Sequence, residues 1–145
     1  MDLEAEEIQS KIPVTILKVV GVLDATNYQE LINKAHQLYQ TGTRELILDF
    51  SQLTFMSSSG ILSLHDIAIM LRSESPQNIG EDSSDSPAIS YFVGDETHYE
   101  QHLKLLNPQP RVRKSLETTG FDHVIKIFND RAAAIASFQV FPDAS

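Results

Sequence analysis

The chain has 145 residues, a formal net charge of -9, 41% hydrophobic residues and neither cysteine nor tryptophan. This length suits one domain that buries a hydrophobic core, and the lack of cysteine excludes disulfide scaffolds, cysteine-ligated metal centres and thiol catalysis. Because 20 acidic residues stand against 11 basic ones, electrostatic repulsion argues against nucleic acid and anionic membrane surfaces as partners.

The sequence also gives no sign of a membrane protein. No apolar run approaches the roughly 18 to 20 residues that span a bilayer, so we expect no membrane insertion. The first residues, MDLEAEEIQSK, are acidic, whereas a signal peptide begins with positive charge. We therefore expect a cytoplasmic protein.

The first elements are a strand and a helix. Residues 13–23 (PVTILKVVGVL) are rich in β-branched residues with partial alternation, which predicts a strand. Apolar residues then recur at helical spacing over residues 28–39, which predicts an amphipathic helix. Asp24 and Thr26 precede this helix as candidate caps. Gly42 follows it where a residue with left-handed backbone would end a helix.

A second strand and helix follow directly. Residues 44–50 (RELILDF) form a short apolar run bounded by charge, which is typical of a strand covered on both faces. Three serines at 57–59 can cap a helix that runs from about Ser59 to Arg72. This helix has apolar residues on more than one face. Either neighbours bury it almost all round, or part of its apolar surface is offered to a partner, and both can hold together.

The composition changes between residues 73 and 100. This stretch has seven acidic residues and no lysine or arginine, and its first part (73–87) is rich in serine and proline. Such a composition buries little apolar surface, which predicts a mobile acidic insertion after the second main helix. The apolar residues 89–93 (ISYFV) within it would either add a strand or pack on the domain as a latch.

The remaining chain repeats the alternation of strand and helix. Strands are predicted at 103–106, ended by an Asn-Pro turn, and at 124–128, with helices over 112–119 and 131–138. The order βαβα, insertion, βαβα predicts an α/β fold with a mainly parallel or mixed sheet flanked by helices. No internal repeat or second domain is visible, so we expect a single domain over residues 1–145.

The most informative segment runs from Leu46 to Arg72. It leads from a buried strand through a short loop into three serines and a glycine, and then into a helix. The first N–H groups of a helix lack intrahelical partners and carry partial positive charge, so they accommodate a serine oxygen or a phosphate. Gly60 removes a Cβ that would crowd an approaching group. Serines before a helix are also ordinary caps, although three exceed what one cap requires.

Residues 48–64 (LDFSQLTFMSSSGILSL) resemble the signature of the sulfate transporter and anti-sigma factor antagonist (STAS) domain family. That signature is a strand, an Asp, a few residues and then Asp-Ser-Ser/Thr-Gly at the start of a helix. Residues 21–27 (GVLDATN) resemble the family's first strand-to-helix turn, and residues 103–128 resemble its second half. The resemblance implies a STAS-like mixed sheet flanked by helices. The acidic insertion departs from the family, which normally proceeds quickly to its next strand.

The resemblance also implies a phosphorylation site. The family's phosphorylated serine falls on Ser58, with Ser57 and Ser59 as alternative acceptors. The motif's Asp falls on Ser57, so a neutral hydroxyl replaces the carboxylate beside the acceptor, and the choice among the three serines stays open. The partner-binding residues that the resemblance suggests around this site are Asp24, Asn27, Ser57, Ser59, Gly60, Ile61 and Leu64.

By the same resemblance, the protein is expected to be an anti-sigma factor antagonist that acts by partner switching. The unmodified form would bind an anti-sigma factor that is also an ATP-dependent serine kinase, and a serine phosphatase would reverse the phosphorylation. A phosphate adds about -1.5 to -2 charges, and like charges at an interface cost several kcal/mol. The alternative is a STAS subunit that is not phosphorylated and that scaffolds another regulatory or lipid-transport complex.

The sequence offers little for catalysis, and we expect no enzyme activity, no cofactor and no metal. His98 and His102 are four residues apart, a spacing that can hold a metal on a helix, but polar residues at the edge of an acidic insertion give the same pattern. Ser58, His65 and Asp66 have the residue types of a catalytic triad, yet one short helix would point them in different directions. No glycine pattern for phosphate binding is present.

Overall fold

A computed structural model of the protein describes residues 1–72 and 99–139. Strands and helices alternate along this part of the chain. The strands are β1 (Asp2–Ile8), β2 (Val14–Leu23), β3 (Leu46–Asp49), β4 (Leu53–Met56), β5 (Leu103–Leu106) and β6 (Lys126–Phe128). The α-helices are α1 (Tyr28–Gln40), α2 (Ser58–Arg72), α3 (Pro110–Thr118) and α4 (Arg131–Ser137), and a 3-10 helix spans Phe121–His123.

The strands form one mixed sheet in the order β1-β2-β3-β5-β6. Strand β1 is antiparallel to β2, while β2, β3, β5 and β6 are parallel to their neighbours. Strand β4 pairs in parallel with the last residues of β2, beyond the end of β3. The predicted α/β fold with a mixed sheet flanked by helices is therefore confirmed. The parallel strands all end at one edge, which we call the carboxyl edge.

The two faces of the sheet are covered unequally. Helices α1, α2 and α3 pack on one face and enclose the main hydrophobic core. On the opposite face, α4 covers a smaller cluster. The main core includes Leu17, Val19, Leu23, Leu31, Leu48, Phe50, Leu64, Ile67, Val112 and Leu116, and the smaller cluster consists of Val14, Ile16, Ile47, Leu106, Ala134 and Phe138.

Two strands were not predicted. Each of the seven residues of β1 pairs with β2, but four of them are acidic, so the strand depends on its partner rather than on its own apolar pattern. Strand β4 has only four residues, with Leu53 and Met56 buried and the two between them exposed. Such short elements are stabilised by tertiary pairing and leave little trace in the sequence.

The predicted turns agree in part with the structure. Gly42 has φ of +118° and its N–H donates to Tyr39 O at 3.0 Å, so it ends α1 as expected. The predicted caps of α1 are wrong, because the residue at the N-cap position is Asn27, whose side chain makes no capping hydrogen bond. Asp24 instead contributes its backbone carbonyl, which accepts from Tyr28 N–H at 2.9 Å.

Most of the predicted acidic insertion, with the ISYFV segment, lies outside the described residues. Its two flanks are described. Helix α2 starts at the carboxyl edge, and its 15 residues carry the chain roughly 22 Å away at 1.5 Å per residue. On the other flank, Glu100 is buried and its N–H donates to Val124 O at 2.8 Å. The chain therefore leaves α2 and enters β5 at the edge opposite Ser58.

Candidate functional site

Ser57 fixes the start of α2 at the carboxyl edge. Its N–H donates to Leu23 O at 2.9 Å, which ties the loop before α2 to the last residue of β2. Its hydroxyl oxygen accepts from Ser59 N–H at 3.2 Å, and its carbonyl accepts from Ile61 N–H at 3.2 Å. These are the bonds of a helix N-cap, so Ser57 caps α2.

Ser58 is the first residue of α2 and is exposed, whereas Ser57 and Ser59 are half-buried. The capping bond already engages the hydroxyl of Ser57. Of the three serines, Ser58 is therefore the most exposed residue. Its role as phosphate acceptor stays a prediction.

A polar turn from Asp24 to Asn27 lies beside this serine cluster. The Asp24 carboxylate accepts from the Thr26 hydroxyl at 2.6 Å and from the Thr26 N–H at 3.0 Å. These hydrogen bonds hold the pKa of Asp24 below its usual value, so its side chain is ionised at neutral pH. Since Ser57 binds the carbonyl of Leu23, the turn and the serines meet at one place.

The amide side chain of Asn27 holds this turn closed. Its oxygen accepts from Asp24 N–H at 2.9 Å, and its nitrogen donates to Val22 O at 2.9 Å. These bonds connect the end of β2 to the start of α1. Asn27 therefore positions Asp24, while its own role in partner contact stays a prediction.

Gly60 and Leu64 face the core rather than solvent. Leu64 has no exposed surface and Gly60 is buried. A Cβ on Gly60 would lie 2.5 Å from Met56 Cγ and 3.0 Å from Leu23 Cγ. The glycine therefore allows α2 to approach β2 and β4 closely, and it leaves no room for an incoming group. The structure therefore gives these two residues a packing role, and their contact with a partner stays a prediction.

A shallow groove of about 220 Å³ separates the start of α2 from α3. Its α2 side is formed by Met56, Ser57, Ser58 and Ile61, and its α3 side by Lys114, Ser115, Thr118 and Thr119. Ile61 is 8% exposed, so it forms part of the groove wall. Lys114 is exposed and places a cation on the same groove as Ser58.

Sequence reasoning missed two residues of this site. Leu62 is 56% exposed and lies one turn after Ser58 on the same side of α2. Lys114 reaches the site because α3 packs near β4. The excess of apolar residues on α2 was the signal for Leu62, whereas no local pattern indicated that Lys114 would lie near Ser58.

The residues considered for catalysis are not brought together. His65 is seven residues after Ser58, which is roughly 10 Å along the helix axis. His102 Nδ1 lies 2.9 Å from Glu45 Oε1, and His98 is outside the described residues. In residues 1–72 and 99–139, no group of three or more His, Cys, Asp or Glu side chains is arranged to hold a metal.

None of the described helices is both long and apolar enough to cross a bilayer.

Residues 3–77 match the family model of the STAS domain. The chain belongs to the STAS domain family. Over 119 residues this STAS chain is 27% identical to BtrV of Bordetella bronchiseptica, which is described as an anti-sigma factor antagonist. That alignment covers 82% of this chain and 81% of BtrV.

Solved structures share the STAS fold described above. An anti-sigma factor antagonist from Thermotoga maritima superposes with a TM-score of 0.70 at 14% identity, covering 95% of each chain. The Bacillus cell fate determinant SpoIIAA, in its phosphorylated form, superposes with a TM-score of 0.57 at 19% identity, covering 93% of this chain and 97% of SpoIIAA. The resemblance to STAS domains of the anti-sigma factor antagonist type is therefore confirmed.

Proposed function

We propose that this STAS protein is an anti-sigma factor antagonist whose choice of partner depends on phosphorylation of Ser58. The unmodified form binds an anti-sigma factor with serine kinase activity. That kinase transfers the γ-phosphoryl group of ATP to Ser58 Oγ, and a serine phosphatase returns the hydroxyl by hydrolysis. The protein acts in the cytoplasm as a regulatory module rather than as an enzyme. The assignments of BtrV and of the Thermotoga protein, and the phosphorylated form of SpoIIAA, support this proposal.

The observation that carries the proposal is the exposure of Ser58 at the first residue of α2. A kinase must reach the acceptor hydroxyl, and Ser58 is open to solvent while Ser57 caps the helix. Serine and aspartate are both good N-cap residues. The serine at position 57 therefore keeps the start of α2 intact and changes only the charge beside the acceptor.

The helix start can hold a phosphate without refolding. The partial positive charge of the first turn of α2 stabilises an anion, and Lys114 lies on the same groove. A partner that closes over Ser58 meets a different situation, because it must desolvate the phosphate or face it with its own charges. Like-charge contacts of this kind cost several kcal/mol, and about 1.4 kcal/mol corresponds to a tenfold loss of affinity.

The proposed contact surface surrounds Ser58 and combines apolar and charged parts. Leu62, at 56% exposure, supplies an apolar side chain that a partner can bury. The ionised Asp24 and the half-buried Asn27 border the site on the side of β2. A basic group on the partner would pair with Asp24 in the unmodified state. Ser59 and Ile61 would contribute the remaining edge of the surface.

The test uses the full chain as bait in a lysate of the native cell, as the Ser58→Ala and Ser58→Asp variants. We expect Ser58→Ala to retain an ATPase with serine kinase activity and Ser58→Asp to lose it. Gln37→Glu, at an exposed position near the end of α1, adds the same charge as Ser58→Asp away from the groove, so it is the matched control and should retain the kinase. Equal recovery by the two Ser58 variants would contradict the proposal.

Mass spectrometry then locates the modification. Trypsin should release residues 45–72 as one peptide, because no lysine or arginine lies between Arg44 and Arg72. After incubation of the wild-type chain with the recovered kinase and ATP, fragment ions should assign the phosphate to Ser58. An unmodified peptide from both this reaction and the native cell would favour the alternative, a STAS subunit that scaffolds a complex without phosphorylation.

A further inference from the structure

The face of the sheet that α4 packs on is covered along only part of its length. Side chains alternate along β2, so Val14 and Ile16 point towards α4 and belong to its cluster. The same alternation places Lys18, Val20 and Val22 further along this face. None of these three is buried. We call the region formed by Val20, Val22 and Phe55, with Asp2 and Glu4 beside it, the open face.

The open face has an apolar centre. Val22 pairs with Phe55 across β2 and β4, and the next pair, Leu23 with Met56, points into the main core. Val22 and Phe55 therefore share the opposite face. They are 38% and 39% exposed, and they are large hydrophobic side chains. No element among residues 1–72 and 99–139 buries them.

The border of the open face is acidic. Asp2 pairs with Val20 and Glu4 pairs with Lys18 across the antiparallel ladder, so both carboxylates lie on this face. Lys18 stands in register between Glu4 and Asp49, so with Asp2 three carboxylates share this region with one lysine side chain. Carboxylates thus outnumber cations here, and a second copy of the same face would meet like charges.

The covered part of the face indicates what chemistry fits the open part. There, Ala134 of α4 and Phe138, which directly follows that helix, pack against the apolar residues of β2, β3 and β5. At the start of the same helix, Arg131 Nη2 binds Glu6 Oε2 of β1 at 2.8 Å. Glu6 belongs to the same row of side chains as Asp2 and Glu4. Helix α4 thus covers apolar side chains of the sheet and also pairs a basic side chain with an acidic residue of β1.

The described chain ends far from the open face. Gln139 is held at the other end of the face, where its side chain bonds both backbone groups of Ile12 at 2.8 Å. From Ile12 to Val22 the chain advances ten residues, roughly 33 Å in extended form.

We propose that the open face is a second interaction surface that binds a basic amphipathic helix of a partner protein. The apolar side of that helix covers Val22 and Phe55, and its lysine or arginine side chains pair with Asp2 and Glu4, as Arg131 does with Glu6. This surface lies on the opposite side of the sheet from α2. Binding there does not require a free or modified Ser58, so it is independent of the proposed switch.

The test is a nuclear magnetic resonance titration of the full ¹⁵N-labelled chain with a synthetic helical peptide. The peptide has leucines on one side and lysines on the other, and a scrambled peptide of the same composition serves as its control. The amide signals of Val20, Val22 and Phe55 should shift with the first peptide. Phe55→Ser should weaken its affinity at least tenfold, and so should the double variant Asp2→Lys/Glu4→Lys.

Control variants of the titration separate the proposed binding from other causes of a signal shift. Glu30→Lys, an exposed acid on α1, should leave the affinity within twofold, and Val22→Thr provides a milder variant if Phe55→Ser does not fold. The proposal is overturned if the scrambled peptide binds equally, if shifts lie elsewhere, or if Asp2→Lys/Glu4→Lys has no effect. A shift of these amide signals on dilution alone would indicate that a second copy of the chain occupies the face, and it would also overturn the proposal. A shift of the same signals in the variant Phe92→Ser would indicate that residues 89–93 occupy the face, with the same consequence.

Discussion

The outward side of α2 is exposed to solvent, whereas its inward side packs in the core, although both belong to the segment that carries the family signature. Substitutions on the two sides should therefore differ in their effect on stability. Ser58 and Leu62 are exposed on the outward side. Gly60 and Leu64 are buried against the sheet on the inward side. Residues two positions apart therefore differ between exposure to solvent and packing in the core. A loss of partner binding identifies a contact residue only when the free energy of unfolding is unchanged.

Leu64→Ala should have the largest effect on stability, and Leu62→Ala is its matched control in the same helix. Truncation of a fully buried leucine removes apolar contacts and leaves a cavity, so we expect a loss of about 3 kcal/mol in the free energy of unfolding. Leu62→Ala, at a residue 56% exposed, should change it by less than about 0.5 kcal/mol. Urea denaturation measures both. Equal losses would mean that the two sides of α2 do not differ.

Gly60→Val tests the close approach of α2 to the sheet. The added side chain would overlap Met56 and Leu23, and overpacking of this kind costs about 1 to 3 kcal/mol. The control is Ser58→Val on the exposed side, which should stay within about 0.5 kcal/mol of the wild type. Thermal and urea denaturation of both variants check the prediction. A wild-type stability for Gly60→Val would show that α2 can move away from the sheet without loss.

Ser57→Ala should lower stability moderately, because it removes the oxygen that accepts from Ser59 N–H. Loss of an N-cap side chain costs about 1 kcal/mol. Ser57→Asp restores a capping oxygen and the family's motif, so its free energy of unfolding should lie near that of the wild type. If Ser57→Asp is as unstable as Ser57→Ala, capping is not the role of this residue.

Thr26→Val should have the smallest effect, which is seen in titration rather than in overall stability. The variant removes the hydroxyl that donates to the Asp24 carboxylate, so the pKa of Asp24 should rise towards its usual value. The pKa of Asp24 is lowered in the folded state, so this hydrogen bond stabilises the fold at pH values above the unfolded-state pKa of about 3.9. The stabilisation is lost as the pH falls through the folded-state pKa. Carboxyl ¹³C shifts across pH measure the change, and an unaltered pKa would contradict it.

Long elements with their own apolar period could be predicted from the sequence. The pattern over residues 28–39 corresponds to α1, and the apolar run at 44–50 contains β3. Strand β1 was missed because its acidic sequence forms a strand only by pairing with β2. The strand predicted at 124–128 is shorter than expected, since a 3-10 helix precedes it and β6 starts at Lys126.

The position of the candidate site could be predicted from its motif, but which of its side chains are exposed could not. Three serines before a helix indicate a cap, yet which hydroxyl is exposed depends on how the loop is tied to Leu23. Because α2 is apolar on several sides, its period could not separate the buried Leu64 from the exposed Leu62. Lys114 enters the groove through tertiary packing of α3 near β4, which no local pattern encodes.

The proposed switch is tested most directly by the affinity of the proposed kinase partner for the unmodified chain and for a chain that carries phosphoserine at position 58. The phosphorylated form should be at least as stable in urea as the unmodified form, because the added negative charge sits at an exposed helix start. Calorimetry should then give an affinity at least a hundredfold lower for the phosphorylated chain, equivalent to about 2.7 kcal/mol or more. Equal affinities for the two folded forms would contradict the account.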